Sequence, residues 1–457
     1  MTEMTIGRRS LLKWSVATLA LAGCADVNYQ APAAVVDARF AGTAPARTGN
    51  AMWWTAFRDS QLDQLIKAGD ARNLDLLQAI EAINEAEAAA EAVGANDIPG
   101  VNATGSASRG RASGAARDSS IGESSSVGVS ASWVLDIFGA NRNARRAAAA
   151  QLDAAYLSVD SARLVMQSSI ASAYVDLRYY QASIALTQRS LTSRRRSLDL
   201  TRTQFDLGGA ARLDVLQAEQ LVAEGEAQLP AFEVGYDQAL AVLATLTADR
   251  MANLRAGLGR SGAQPRPRFN ASVGLPADVV RARPDVRIAE RNYAAAAYNV
   301  GVAQAAFWPT VSLSGSITPT QIHNGGSIKY WAVGPTINLP IFQATNIANL
   351  KGAESRAVQA KLSWEKSVLT AIQEVESGLA AYNRDARNIA AQQRLVNTSS
   401  EAVELARTNF SLGEGTFMNV LDSERSSLSA QQSLSAAERQ RATDFINLSV
   451  AAAGGTS

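Results

Sequence analysis

Two residues dominate any search for chemistry in this chain because each occurs once: Cys24 and His323. One Cys and one His cannot assemble a His/Cys zinc cluster, and no disulfide can close within the chain. Nucleophilic catalysis of the Ser-His-Asp or Cys-His kind would have to run through His323. That residue lies beside Asn324-Gly325-Gly326, the setting of a solvated loop histidine. Gly257-Leu-Gly-Arg-Ser-Gly262 has the spacing of a dinucleotide fingerprint, but it follows a helical pattern and runs into Pro265 and Pro267. The fingerprint needs a strand before it and a helix after it, so the segment reads as linker. Cys24 offers sharper chemistry. It follows Leu21-Ala22-Gly23, after a basic start with Arg8, Arg9 and Lys13 and a short apolar stretch over residues 14–22. This has the form of a bacterial lipobox, in which the thiol takes a diacylglycerol and becomes the new N-terminus after cleavage. A buried Cys after an ordinary signal is the plainer alternative. Ala25, rather than an Asp, fits sorting to the outer membrane. Gly7 to Lys13 also has features of a twin-arginine export motif, so both that route and plain Sec export stay open.

Composition narrows the classes around those residues. Of 457 residues, 47% are hydrophobic and 19% charged, below the ~25% charged of typical soluble domains. Lys and Arg number 43 against 42 Asp and Glu, a net charge of +1. Nucleic-acid binding needs a clustered positive excess, and none exists here. No run of 18 apolar residues occurs, which excludes a bilayer-spanning helix but leaves a β-barrel open.

Internal repetition sets the architecture. Residues 205–219, Phe-Asp-Leu-Gly-Gly-Ala-Ala-Arg-Leu-Asp-Val-Leu-Gln-Ala-Glu, align with residues 410–424 at an offset of 205, with six of fifteen positions identical. Residues 99–106 match 309–316, and Leu135, Ile137 and Phe138 match Leu339, Ile341 and Phe342. The chain is two copies of a unit of roughly two hundred residues.

Each copy contains two strands. Val127, Val129, Ala131, Trp133, Leu135 and Ile137 alternate with mostly small or polar residues, as do Trp331, Val333, Pro335, Ile337, Leu339 and Ile341. Residues 99–107 and 309–318 are the weaker partner strands. Residues 109–126 and 319–330, rich in Ser, Gly and Arg, read as exposed loops. A period of two suits strands between lipid and water, and equally a soluble hairpin on a core.

The helices are longer. Residues 143–205 contain neither Pro nor Gly and would reach about 95 Å as one helix. Residues 353–410 are broken only by Gly378. Both runs end at Leu-Gly, where glycine permits a left-handed turn before a returning helix. Pro230 is expected to interrupt the first return helix. Arg194-Arg195-Arg196 is expected to be a solvated helix face, with a partner-facing role as the alternative.

These residues resemble the TolC-type outer-membrane efflux proteins, and within them the lipidated OprM/NodT branch. The resemblance rests on the lipobox, on Trp53-Trp54 with Phe57 and Leu62, and on Leu275-Pro-Ala-Asp-Val-Val-Arg-Ala-Arg-Pro-Asp-Val-Arg287. The two Leu-Gly…Val-Leu…Glu tips and Phe307-Trp-Pro309 complete it. It implies a mainly α fold with a membrane β-barrel, built as a two-fold repeat of β-hairpin plus long helical coiled-coil hairpin. Three chains would close a twelve-stranded barrel above a periplasmic α-barrel tunnel. The expected divisions are a signal peptide over 1–23, a lipidated linker over 24–58 and a first repeat over 59–258, with its hairpin at about 99–138 and tip near 208. A linker over 259–283 leads to a second repeat over 284–452, with hairpin at about 309–342 and tip near 413, and then a tail over 453–457.

The implied function is a passive exit duct in the outer membrane of a Gram-negative bacterium, reached by an inner-membrane pump through a periplasmic adaptor. No catalysis and no cofactor are implied beyond the lipid on Cys24. The alternatives are a periplasmic adaptor, a structural coiled-coil lipoprotein, or an exit duct for type I secretion. Leu207, Gly208, Gly209, Leu412, Gly413, Glu414 and Gly415 would be the adaptor-docking tips. Family members carry two acidic residues one turn apart just after the second tip, at the closed periplasmic end. The matching positions are Asn419 and Asp422, so the first acid is replaced by a neutral residue. Asp214, the first-repeat partner of Asn419, could supply that charge. Drugs, metal ions, solvents and secreted metabolites all pass through ducts of this kind; one His and 6 Met argue weakly against a dedicated metal route.

Overall fold

A computed structural model describes residues 27–34, 36–37, 39–40, 52–111, 121–260, 262–268, 276–323 and 326–452. Cys24, the signal segment, Leu275 and the tail over 453–457 lie outside the described residues.

A 3-10 turn, Trp53–Phe57, leads into α1 (Ser60–Arg72) and α2 (Leu74–Gly94). Asp59 caps α1 by accepting from the Gln61 and Leu62 N–H groups. Strands β1 (Gly100–Arg111) and β2 (Ile121–Leu135) follow, then α3 (Ala140–Asp206), α4 (Arg212–Leu246) and α5 (Met251–Leu258). The second half runs α6 (Pro276–Ala282), α7 (Pro284–Ala305), β3 (Thr310–Ile322), β4 (Gly326–Asn338), α8 (Ala344–Ser411) and α9 (Phe417–Ala451). Contacts divide the chain into two compact units. One holds residues 81–156 and 288–366 with the chain up to 33; the other holds 34–80, 157–287 and 367–457. Each draws on both repeats.

The first unit contains one antiparallel sheet, ordered β1-β2-β3-β4. Its strands are longer than composition suggests. Residues 109–111 and 121–126 pair within the first hairpin, and 319–322 and 326–330 within the second. The described parts of both expected loops are therefore almost entirely strand, while residues 112–120, 324 and 325 lie outside the described residues. Their Ser and Gly content marks a polar sheet face, held by Ser106–Ser126 and Ser108–Ser124 hydroxyl pairs at 2.9 Å. At the other end the strands stop sooner than their alternation suggests. Gly139, at φ +82°, turns the chain, and the Asp136 carboxylate accepts from the Asn141 and Arg142 N–H groups to start α3. The N-terminal segment also docks in this unit: the Tyr29 hydroxyl donates to Glu290 at 2.6 Å. Burial and that bond push the Tyr29 phenol well above its usual range.

In the second unit α3 with α4, and α8 with α9, form antiparallel hairpins. Pro230 does not interrupt α4. It is exposed, so the carbonyl that its missing N–H would have bonded faces water. On the buried side Gly235 admits the Tyr180 ring and Gly225 admits Leu191. The Arg-Pro-Asp segment is a clasp. Buried Arg283 pairs with Asp285 at 2.8 Å and Glu374 at 2.7 Å, and donates to the Ala451 carbonyl at the end of α9. A second buried arginine, Arg178, donates to Tyr174 and Gln61 and to the Arg260 carbonyl. It thereby pins the Gly257–Gly262 segment, which begins in the last turn of helix α5 rather than after a strand.

Candidate functional site

The sheet separates two chemistries by register alone. Directly opposed residues share a face. Ala131 faces Val101 and Gly315, Trp133 faces Leu313, Ile317 faces Trp331, and Val311 faces Ile337. Val333, opposite Gly315, completes an apolar face. Val101, Trp331, Val333 and Ile337 are 67% to 71% exposed. From Val127 to Leu135 the band covers nine residues, about 30 Å of strand, the length a tilted strand needs to cross hydrocarbon. Toward the hairpin loops the same face turns polar, with Arg109 paired to Glu123 at 3.0 Å.

On the opposite face stand Asn102, Thr104, Ser106, Ser126, Ser130, Ser132, Ser312, Ser314, Ser316 and Thr320. Gly128 sits between Thr104 and Thr318, whose hydroxyls close over the space a side chain would need. Val134, Ile322, Ile328 and Tyr330 are the large apolar exceptions. A bare apolar face backed by a hydroxyl-lined one is the arrangement of a wall between lipid and water.

The helix tips are the second site, within the other unit. Gly208 and Gly413 adopt φ +78° and +79°. At the first tip the Gly208 N–H donates to Phe205 O and the Gly209 N–H to Gln204 O. At the second, Gly413 donates to Phe410 O and Glu414 to Asn409 O. Both are Schellman turns, which satisfy the last helix carbonyls. Leu207 is 83% exposed and Leu412 67%. Behind them Leu198, Val215, Leu221, Phe417, Val420 and Leu421 form a buried cluster, with Phe410 against Phe417. The expected tip residues thus sit at two solvent-facing turns on one packed base.

Asn419 and Asp422 are both exposed on α9, three residues apart. Asp214 is engaged in a local bond: its carboxylate accepts from the Ala211 N–H at 2.9 Å, one half of a capping box for α4. His323 is an exposed turn residue whose backbone N–H donates to Glu123 O.

Arg194 departs from expectation. It is buried at 4%, not part of a solvated face, and its Nη1 donates to the Leu221 carbonyl at 2.8 Å. Burial pushes its pKa down, while Glu424 and Glu224 pull it up. Arg195 does fit the solvated reading, pairing with Glu226 at the surface. Sequence reasoning also missed buried Glu424, which receives Arg407 at 2.5 Å and the Ser197 hydroxyl at 3.0 Å. The signal was available in the aligned repeat, where Glu424 matches Glu219.

A family model described as outer membrane efflux protein matches residues 65–249 and again 275–454. Nodulation protein T of Rhizobium leguminosarum bv. trifolii is 35% identical over 448 residues, covering 96% of this chain and 96% of that protein. The toluene efflux pump outer membrane protein TtgF of Pseudomonas putida is 32% identical, over 96% of this chain and 95% of its own. Among solved structures, the outer-membrane channel OprN superposes with a TM-score of 0.85 at 29% identity, over 94% of this chain and 99% of that one. CusC gives 0.79 at 27% identity, over the same shares. The duplicated match, the two-faced sheet and the paired helical hairpins all converge: the chain belongs to the outer membrane efflux protein family and is an outer-membrane efflux channel.

Proposed function

We propose that the chain works as a homotrimer, the passive exit duct of a tripartite system that an inner-membrane pump reaches through a periplasmic adaptor. The observation that carries this is the four-stranded sheet with one bare apolar face and one hydroxyl-lined face. Four strands cannot close a barrel, and an open edge in lipid leaves backbone groups unsatisfied. Three copies supply twelve strands, with the Ser and Thr face toward water. The relatives named as efflux pump outer membrane proteins support the same role. The lipid on Cys24 adds an anchor to the barrel, and outer-membrane lipid covers the apolar band. The tips at Leu207-Gly208-Gly209 and Leu412-Gly413-Glu414-Gly415 give six turns per trimer for adaptor hairpins. Asp422, with Asn419 one turn before it, would ring the closed end and favour cations.

Reconstitution tests this reading. Detergent-solubilised protein should have the mass of three chains and conduct ions in planar bilayers. A conducting monomer would overturn the trimer. Asp422→Ala should lower cation selectivity with the trimer intact; unchanged selectivity in both Asp422→Ala and Asn419→Ala would place the gate elsewhere. Labelled palmitate should mark wild type and not Cys24→Ser, and an unlabelled wild type would remove the anchor.

A further inference from the structure

The sheet places its charges where a water-filled duct has least use for them. By register, odd-numbered positions of all four strands share the apolar face, and even-numbered positions share the hydroxyl face. Arg109, Glu123 and Lys329, the charged side chains described on the strands, are all odd. Among the described residues the hydroxyl face carries no charge. A cation on the lipid side of a strand is tolerated only near the interface. All three stand at the hairpin end. Glu123 lies four residues nearer its loop than Val127, about 13 Å along the strand. At a tilt of about 45° that is roughly 9 Å along the membrane normal, past the hydrocarbon and among headgroups. Lys329 stands two residues beyond Trp331, at the border itself.

Beside Arg109 the sheet is hollow. A groove of about 450 Å³ opens over small Ala107 and Ser125, walled by Arg109, Glu123, Gln321 and His323. Glu123 engages only one edge of the guanidinium, at Nε and 3.0 Å, and the Arg109 side chain is 70% exposed. The two terminal nitrogens keep their fork free among the described residues, the geometry that suits phosphate oxygens. Lys329 stands opposite Pro319, which offers it no counter-charge. Two fixed cations and an imidazole against one carboxylate favour an anion, and Arg109 repels a metal ion from Glu123. The phosphate of an ordinary phospholipid lies close to the hydrocarbon edge, at the level of Lys329. Reaching the groove takes a taller headgroup, with a sugar between acyl chains and phosphate.

We propose that this groove binds the headgroup of a phosphorylated glycolipid of the outer leaflet. Arg109 and His323 hold its phosphate, Gln321 and Ser125 meet sugar hydroxyls, and Lys329 takes charge nearer the acyl chains. The site needs the sheet in the outer membrane, and neither the trimer nor the gate. Full-length wild type, Arg109→Gln/His323→Gln and Glu123→Gln are delipidated in detergent and titrated with three probes, with bound lipid counted by native mass spectrometry. The probes are bisphosphorylated lipid A, the same lipid without its phosphates, and phosphatidylglycerol. Wild type should bind the first about tenfold more tightly than the others, the worth of one charge-assisted hydrogen bond. The double variant should lose that preference, and Glu123→Gln should bind at least as tightly as wild type. Equal binding of the three lipids by wild type, or an intact preference in the double variant, would overturn the site. Displacement of the glycolipid by excess inorganic phosphate would overturn it too, leaving a free-anion site. Should the double variant not fold, Arg109→Gln replaces it, and full preference there is equally fatal. Planar-bilayer conductance in the same preparations should match wild type throughout. A wild type that binds the glycolipid and does not conduct would strike the duct and leave the lipid site standing.

Discussion

The two helical tips share a backbone and differ in what surrounds it. Each ends its outgoing helix in a left-handed glycine with the same pair of hydrogen bonds, and φ agrees within a degree. Each carries an Arg–Glu pair at matched positions. Yet Glu219 stands in solvent, where the Arg202 bond holds its carboxyl below the usual range, while Glu424 is buried among three helices. At the start of the return helix, Asp214 caps its own backbone; its partner Asn419 is neutral and exposed. Duplication preserved the turn because backbone geometry tolerates few alternatives. The side chains were free to take different work once each hairpin met a different neighbour.

The sharpest way to break this comparison is to remove the cation of each pair. Arg407→Ala leaves a buried carboxylate without its main partner and should lower stability by about 3 kcal/mol. Arg202→Ala should leave the melting temperature unchanged, as exposed pairs contribute little. Matching losses in thermal unfolding would show that burial does not distinguish the copies. A smaller effect should be shared. Gly208→Ala and Gly413→Ala force a Cβ into left-handed backbone, and each should cost about 1 kcal/mol. Open space surrounds both glycines, so a large disparity between them would mean that the turns are not equivalent. Asp214→Ala should cost about 0.5 kcal/mol through the lost capping bond, and Asn419→Ala less.

The smallest difference is in pH response. Asp385 on α8 is pushed up to about 6 by burial, by a hydrogen bond with Asp444 of α9 and by that carboxylate's charge, against the pull of Arg441. The matching first-hairpin positions are Tyr180 and Ala239, so only the second hairpin holds an acid pair. A carboxyl whose pKa rises on folding stabilises below its unfolded value near 4 and loses that contribution as pH climbs through 6. Melting should therefore fall by a degree or two between pH 5 and pH 7 from this pair, and Asp385→Asn should flatten that slope. An unchanged slope would assign it to other groups.

Much of this was legible before any coordinates. Helices α3 and α8 follow from long runs without Pro and with little or no Gly, and the tips from Leu-Gly at matched offsets. The polar halves of the strands were not legible, because Ser and Gly signal loops unless a partner strand uses them. Pro230 misled because its effect depends on which side of the helix meets water. Arg194 misled because a run of three arginines says nothing of which one faces inward. Burial of Glu424 is a tertiary fact, although its duplicate at Glu219 marked both positions for attention.

The bare apolar face has a further consequence, for the chain's life before it reaches lipid. Trp331, Val333 and Ile337 form a hydrophobic stripe on an edge strand, the kind of surface that recruits any unpaired strand nearby. Pro319, Pro335 and Lys329 lie within or beside that stripe and act as gatekeepers against unwanted pairing. The helical hairpins rest on contacts close in sequence and can form early, whereas β2 meets β3 only after nearly two hundred residues of chain have been brought back. Sheet closure is therefore expected to be a late event, and until then the unpaired strands are open to wrong pairing.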